Sequence, residues 1–195
     1  MKRAEMHFLF SNRAKMLISA LPYVWKEGIV MSNKAAVLER LNAMNIPHDV
    51  YEHEAAFSME DCLALPFATP DVTICKNILL CTRQKTEFYL YLTLAGKHFR
   101  TADVSKLLGT SRLSFAPEEC LMDMLQLQSG SLNPMGLWYD ASHRISFVVD
   151  RAVQQTPRIA FHPCDNTATV VFDQDVFWKQ VVPTLGAVPI FLTVP

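Results

Sequence analysis

The chain has 195 residues, half of them hydrophobic and 19% charged, and its formal net charge is −1. These values exclude an intrinsically disordered chain and fit one domain of ordinary size with a substantial core. They also exclude a globally basic protein, so a nucleic-acid partner would need a local basic patch. One basic stretch meets that need, although a solvated hairpin surface explains it equally well: Arg83, Lys85, Lys97, Arg100, Lys106 and Arg112.

The five cysteines are odd in number and contain no CxxC pair. This pattern predicts reduced thiols in a cytoplasmic protein. His162 and Cys164 are close enough for a metal pair, but no second pair accompanies them, so we expect no metal site. Phosphate-binding and dinucleotide-binding glycine motifs are missing, and we expect no cofactor. No apolar stretch approaches the roughly 18 residues that span a bilayer, so no membrane partner is expected.

The first thirty residues need separate treatment. Their apolar runs are interrupted by polar residues and do not form a signal peptide. Met31 precedes a clean helix, and Lys26-Glu27-Gly28 can be encoded by a purine-rich run resembling a bacterial ribosome-binding site. We therefore expect residues 1–30 to be an N-terminal extension created by a mis-assigned start, and residues 31–195 to be the functional domain. A genuine N-terminal arm is the alternative.

Helices and strands follow one another without strict alternation. Capping residues and apolar spacing predict helices that start at Ser32, Ser58, Asp103, Pro117 and Asp173, the first ending near Met44 and the last at Val182. Period-two patterns and apolar runs predict strands at residues 48–53, 72–81, 88–94, 137–139, 145–149, 159–161 and 167–172. This order favours an α+β domain with a mixed sheet.

Lys76 occupies an unusual place in the second predicted strand. Alternate residues of a strand point to opposite faces, so Lys76 shares a face with the apolar residues Ile74 and Ile78. A cation kept in such a row is a candidate functional group, because its burial is costly unless it is paired. The alternative is a strand that ends here, with a side chain that reaches water. Cys75 points to the opposite face and is not expected to be a nucleophile.

Two further segments could carry chemistry. The Gly130–Pro134 loop combines a flexible glycine with a rigid proline and can aim backbone N–H groups at an oxygen, although a plain turn is also compatible with it. His162 closes an apolar strand before the polar turn that contains Asn166. A structural, hydrogen-bonded histidine is the alternative to a functional one.

Together these segments resemble the YbaK/ProX superfamily of bacterial prolyl-tRNA editing domains, and most closely its freestanding ProX type. The resemblance covers about residues 32–183. It is carried by four segments in the family's order: Thr73–Asn77, Leu113–Ala116, Gly130–Pro134 with Gly136, and Phe161–Pro163 with Asn166-Thr167.

The resemblance implies a mixed, partly barrel-like β-sheet flanked by helices, and a trans-editing deacylase that hydrolyses mischarged tRNA(Pro), most often Ala-tRNA(Pro). Lys76 matches the essential lysine, Gly130 holds the aminoacyl end, and His162 lines the pocket. Four neighbouring residues are expected to bind substrate as well: Asn77, Ser131, Pro134 and Asn166. The sequence departs from the family at Asn133, where Thr is common, and at Cys164, where a larger apolar residue is common.

The expected mechanism has no covalent intermediate. Lys76 binds the 3′ end and offsets developing negative charge, the Gly130–Asn133 backbone fixes the carbonyl, and water attacks. Ile74, Phe115 and Met135 are expected to wall a pocket that accepts a small side chain and excludes proline. The partner is the tRNA(Pro) acceptor end, with prolyl-tRNA synthetase as a second candidate. The alternatives are a deacylase for Cys-tRNA(Pro) or Ser-tRNA, a non-catalytic tRNA- or synthetase-binding module, and a small-molecule hydrolase.

Overall fold

A mixed β-sheet with helices on both faces organises the chain. The computed structural model describes residues 33–56, 58–128 and 130–195, so the predicted extension at residues 1–30 lies outside the described residues. The sheet has eight strands: β1 (Asp49–Glu52), β2 (Val72–Thr82), β3 (Phe88–Leu94), β4 (Leu113–Phe115), β5 (Ile145–Asp150), β6 (Arg158–Phe161), β7 (Ala168–Asp173) and β8 (Ile190–Leu192). The predicted α+β class with a mixed sheet is confirmed.

The described residues include four α-helices of at least five residues, the first before β1 and the others between strands: α1 (Asn33–Ala43), α2 (Met59–Leu63), α3 (Thr101–Leu108) and α4 (Glu118–Leu125). The α2 helix begins as predicted, with Ser58 and Asp61 forming a reciprocal capping box. None of the described helices is long and apolar enough to cross a membrane.

The strand order is β1-β7-β6-β2-β3-β5-β8, with β4 paired to β2 outside this path. Pairing is antiparallel for β1–β7, β6–β7, β2–β3 and β2–β4, and parallel for β2–β6, β3–β5 and β5–β8. The β2 strand is central because it joins two groups of strands. Its first three residues pair with β6, and its last three pair with β4.

The two faces of the sheet bury different clusters. The larger cluster includes Leu41 of α1, Leu125 of α4 and Leu79 of β2. The smaller cluster lies on the other face, where Val104 of α3 packs with Leu80 of β2. The alternation of Leu79 and Leu80 between two buried clusters shows why β2 has an apolar sequence on both faces.

Three sequence predictions are wrong in detail. The segment at 137–139 belongs to a 3-10 helix, Pro134–Tyr139, because proline fixes φ at its start and the Asn133 side chain accepts the Met135 N–H. Helix α3 starts at Thr101, before Asp103, whose carboxylate instead binds the Arg100 guanidinium.

The predicted C-terminal helix is not one regular α-helix. It begins as an α-turn and continues as a π-turn and a 3-10 turn: Gln174–Val176, Phe177–Val181 and Val182–Thr184. Proline at 183 lacks an N–H and cannot extend the α-helical ladder, which is consistent with the change of hydrogen-bond pattern near the end.

Candidate active site

A cavity of about 230 Å³ opens beside the middle of β2. Five consecutive β2 residues, Ile74–Ile78, line it, together with residues from α2, the Gly130 loop and the end of β6. Its other lining residues are mainly apolar: Ala56, Ser58, Cys62, Phe67, Gly130, Leu132, Ala160, Phe161, His162 and Thr169. Since ligand pockets commonly measure about 300–1,000 Å³, this cavity suits a small group.

The cavity exists because β2 changes partners along one edge. On that edge, Ile74 is the last residue paired with β6, and Leu80 is the first paired with β4. The intervening residues have a strand partner only on the β3 side. The Ile74 carbonyl accepts from the Ala95 N–H, and the Thr82 N–H donates to the Glu87 carbonyl, so the even-numbered residues of β2 direct their backbone groups toward β3. Backbone groups of successive strand residues alternate in direction, and the N–H and C=O of Asn77 therefore point toward the open edge.

Lys76 reaches the cavity with a half-buried side chain. Its ammonium donates a hydrogen bond of 3.2 Å to the backbone carbonyl of Lys97. No carboxylate in the described part of the chain forms an ion pair with it. An ammonium has three N–H donors, so two remain for a ligand, and the charge is not neutralised by an acid.

Asn77, the next residue of β2, also lines the cavity and carries an unsatisfied acceptor. Its Oδ1 atom is buried, and among the described residues it has no hydrogen-bond partner. Leaving a buried polar atom unpaired costs about 1–3 kcal/mol, which a ligand that donates a hydrogen bond would recover. Asn77 is thus suited to bind an ammonium or hydroxyl group of a ligand.

His162 lines the cavity and has one donor and one acceptor ring nitrogen. Its Nδ1 lies 2.9 Å from the Ala168 carbonyl, which can only accept, so Nδ1 carries the proton in the neutral ring. Nε2 then accepts from the Cys62 thiol at 3.5 Å. Burial is the main cause that lowers the pKa of His162 below its ordinary value of 6.5. Burial also raises the pKa of Cys62, which keeps it a thiol at neutral pH.

The Gly130 loop borders the cavity opposite β2. Gly130 has a φ of +87°, a region that L-residues rarely adopt, so a side chain here would strain the backbone. Gly130 and Leu132 line the cavity. The Ser131 N–H is already used within the loop, where it donates to the Gln128 carbonyl at 3.2 Å.

The structure brings together four of the seven predicted site residues: Lys76, Asn77, Gly130 and His162 line one cavity. The remaining three lie elsewhere. Ser131 and Asn166 border a second, polar cavity, and Pro134 is buried at the start of the 3-10 helix. Asn166 still supports the first cavity, because its Nδ2 donates to the carbonyl of Ala56 at 3.2 Å.

Two residues expected to wall the pocket do not line it. Phe115 is 64% exposed, and its ring contacts Phe99 at a centroid distance of 6.3 Å. Met135 is fully buried in the larger core cluster. Ile74 does line the cavity, as predicted.

The sequence did not reveal the contributions of Cys62 and Thr169. Thr169 Oγ1 lies 2.9 Å from Nε2 of His53 and 3.4 Å from Nδ1 of His162, so it links the two imidazoles. Neither residue belongs to a recognisable motif, and only the packing of α2 and β7 against His162 gives them a role. Within the described ranges, no three His, Cys, Asp or Glu side chains group as metal ligands.

The two positions that depart from the family pattern contact each other. Asn133 Nδ2 donates to Cys164 Sγ at 3.2 Å and to the Ser131 carbonyl at 2.9 Å. Both side chains are buried. The Asn133 side chain, which extends one atom further than Thr, therefore reaches the smaller residue at 164, and this contact accommodates both changes.

Comparison with known proteins identifies the family of this chain. The model of the aminoacyl-tRNA editing domain family matches residues 53–179. The prolyl-tRNA editing protein ProX of Acetoanaerobium sticklandii is 28% identical over 151 residues, which cover 77% of this chain and 92% of that protein. The prolyl-tRNA synthetase associated domain-containing protein 1 of Bos taurus is 29% identical, covering 82% and 94%.

Solved structures share the fold. A crystal structure described as a candidate trans-editing enzyme for prolyl tRNA synthetase superposes with a TM-score of 0.65 at 15% identity, covering 85% of this chain and 98% of that one. The family match spans well over half of the chain and includes all four residues that meet in the cavity. The chain belongs to the aminoacyl-tRNA editing domain family, the YbaK/ProX superfamily that its motifs resemble.

Proposed function

We propose that this protein is a trans-editing deacylase that hydrolyses the ester of mischarged tRNA(Pro), with Ala-tRNA(Pro) as its main substrate. The observation that carries the proposal is a small cavity lined by two residues with unused polar capacity: the ammonium of Lys76, which no described carboxylate neutralises, and Asn77, whose Oδ1 has no described partner. An aminoacyl ester on RNA offers matching groups, namely phosphate and carbonyl oxygens for the cation and an ammonium or hydroxyl for the acceptor.

The chain's polar groups suggest how the ester is held. Lys76 binds oxygens at the 3′ end and stabilises the negative charge that develops on the carbonyl oxygen during attack by water. The backbone N–H of Asn77 at the open edge and that of Gly130 are the donors we assign to the carbonyl. Asn77 Oδ1 accepts from the substrate's α-ammonium. In neutral His162, Nε2 exchanges its long hydrogen bond from the Cys62 thiol for one from the attacking water or a ribose hydroxyl.

Selection against proline follows from size. The aminoacyl side chain faces apolar walls that include Ala56, Ile74 and Ala160, and we assign to these walls the exclusion of the proline ring. A binding pocket gains only about 1–3 kcal/mol from one methylene, so rejection of the larger proline ring by steric exclusion is more effective than preference for alanine.

Phe115 marks the path of the RNA away from the cavity. It pairs across from Leu80, so its ring lies on the same sheet face as Lys76. An exposed aromatic ring can stack on an unpaired base. We assign this ring to a nucleotide of the single-stranded 3′ end.

The basic stretch predicted from the sequence is partly used in ion pairs, which involve Lys85, Lys97 and Arg100. Its remaining members are exposed, and we assign them to phosphates: Arg83, Lys106 and Arg112.

Two other substrate choices fit the same chemistry. Cys-tRNA(Pro) and Ser-tRNA also carry small side chains and would reach the same groups. A non-catalytic tRNA- or synthetase-binding module fits less well, because it needs neither the bare cation nor the buried acceptor. Action in the cytoplasm and contact with prolyl-tRNA synthetase are part of the proposal, since tRNA charging supplies the substrate.

The test is deacylation of a panel of charged tRNAs by the purified protein and by Lys76→Ala. We expect Ala-tRNA(Pro) to react fastest, Pro-tRNA(Pro) to be spared, and K76A to be slower by about 100-fold, the loss typical of removing one transition-state donor. Lys179→Ala, which removes an exposed lysine paired with Asp175, is the matched control and should retain the wild-type rate.

The outcomes separate the alternatives. If Cys-tRNA(Pro) or Ser-tRNA reacts faster than Ala-tRNA(Pro), the assigned substrate changes and the assigned site does not. Salt-sensitive tRNA binding without deacylation of any member would identify a binding module. An unchanged rate for K76A would show that the role assigned to Lys76 is wrong. Equal turnover of a simple alanine ester and Ala-tRNA(Pro) would instead favour a small-molecule hydrolase.

A further inference from the structure

A buried ion pair lies directly behind Lys76. The Lys97 ammonium donates to Oδ2 of Asp150 at 2.7 Å and to the Val194 carbonyl at 2.5 Å. Asp150 is only 1% exposed. A carboxylate this deeply buried is costly unless it is paired and hydrogen-bonded, and Lys97 is the cation that pairs with it.

Neutral donors complete the surroundings of Asp150. Thr93 Oγ1 donates to its Oδ2 at 3.2 Å, and the Tyr91 hydroxyl donates at 3.4 Å. The Ala152 N–H donates to Oδ1 at 3.1 Å. Thr93 is also the residue paired across from Lys76 in the β2–β3 ladder. The Asp150 carboxylate therefore binds the cross-strand neighbour of Lys76.

The backbone of Lys97 connects this hydrogen-bond network to the Lys76 ammonium. Lys97 lies in the turn after β3, where its N–H donates to the Leu94 carbonyl at 3.1 Å. Its own carbonyl accepts the hydrogen bond from Lys76 Nζ. Since the Lys97 side chain is fixed by Asp150 and Val194, its carbonyl has a fixed direction.

A carbonyl holds an ammonium without neutralising it. A carboxylate at this place would form an ion pair with Lys76 and weaken its attraction for a phosphate or an oxyanion. The Asp150 carboxylate instead pairs with the ammonium of Lys97, and only the Lys97 carbonyl binds Lys76. The charge of Lys76 is therefore left for the substrate.

We propose that the buried Asp150–Lys97 ion pair is the positioning element of Lys76: it fixes the Lys97 carbonyl that aims the Lys76 ammonium into the cavity. The inference rests on the proposed function, because Lys76 is the group through which both residues act. Asp150 and Lys97 do not line the cavity. They are therefore positioning residues, and neither contacts substrate.

A double-mutant cycle tests this role. Single-turnover deacylation of Ala-tRNA(Pro) is measured for wild type, Asp150→Asn, K76A and the double variant. We expect D150N to slow the reaction about tenfold when Lys76 is present and less than twofold when it is absent, since residues that act as a unit are not additive. A purely structural role would give the same factor in both backgrounds, and that result would overturn the inference.

Two controls keep the result interpretable. Asp140 is also buried and accepts the Ile145 N–H at 2.8 Å, but it belongs to a different turn. D140N should therefore change the deacylation rate by the same factor with and without Lys76.

If D150N does not fold, Lys97→Met and Lys97→Arg replace it. K97R keeps the charge and should retain activity within threefold, whereas K97M should lose about tenfold, as expected for a charged partner. Equal activity of K97M and K97R would also contradict the inference.

The cycle is repeated on binding, so that failure of the proposed function can be recognised. The probe is an RNA microhelix of the tRNA(Pro) acceptor stem with alanine joined through a non-hydrolysable amide. If wild type does not deacylate any tRNA, the proposed function fails, and coupling between D150N and K76A in the dissociation constant still tests the ion pair. If wild type and K76A behave as proposed but D150N has no effect, only the positioning role is wrong.

Discussion

At the scale of single residues, the site combines a charged lysine with an uncharged histidine. Lys76 is half-buried and bonded to a carbonyl, and no described carboxylate pairs with it. His162 is also partly buried, and burial favours its neutral form. The two groups thus offer a charged donor and a neutral acceptor in one cavity, a combination suited to ester hydrolysis by water.

This difference predicts the titration of His162. Because burial lowers its pKa, the ring should be mostly neutral at pH 6.5 and reach half-protonation in more acidic solution. Its folded pKa lies below the unfolded value, so the stability it contributes is present above about pH 6.5 and is lost as the pH falls through the folded pKa. Long-range ¹H–¹⁵N NMR, with His162→Gln for assignment, should show a protonated Nδ1 and a midpoint below 6.5. A midpoint at or above 6.5 would contradict the assignment.

At the scale of elements, the open edge of β2 determines where the site forms. Sequence alternation correctly placed Lys76 and Cys75 on opposite faces, and it predicted both β2 and β3 closely. It could not predict that β2 pairs with β6 and then with β4, because both pairings depend on residues more than thirty positions away. The three-residue strand β4 is too short to produce a periodic signal.

The position of Phe115 follows from that short strand and gives a second prediction. Because its exposed ring shares a face with Lys76, Phe115→Ala should raise KM for Ala-tRNA(Pro) about tenfold, in line with the roughly 1–3 kcal/mol of one base–aromatic stack, while kcat stays within twofold. Phe115→Trp should retain the wild-type KM. Leu107→Ala, which truncates another exposed apolar residue on α3, is the control. A loss in kcat with unchanged KM would place Phe115 in a different role.

At the scale of the whole molecule, the sequence predicted the class of fold better than its topology. The α+β composition follows from local patterns, but three of the seven principal strand pairings are parallel and join segments that are distant in the chain. Parallel strands are usually buried on both faces. A short apolar run in the sequence indicates such burial, but it does not show which strand is the pairing partner. The same limit applies to the cavity: Lys76, Gly130 and His162 were identified from motifs, whereas Cys62 and Thr169 join them only through tertiary packing.

The extent of the functional unit gives the last prediction. Every described residue that lines the cavity lies between Ala56 and Thr169, and Ser32–Pro195 forms one compact unit. A protein that begins at Met31 should therefore deacylate Ala-tRNA(Pro) with kcat/KM within twofold of the full chain, and K76A should slow both proteins by the same factor of about 100. A loss of more than tenfold on shortening would assign residues 1–30 a part in folding or RNA binding. The intact mass of the natively expressed protein then distinguishes an N-terminal arm from a mis-assigned start, since only translation from Met1 yields the longer product.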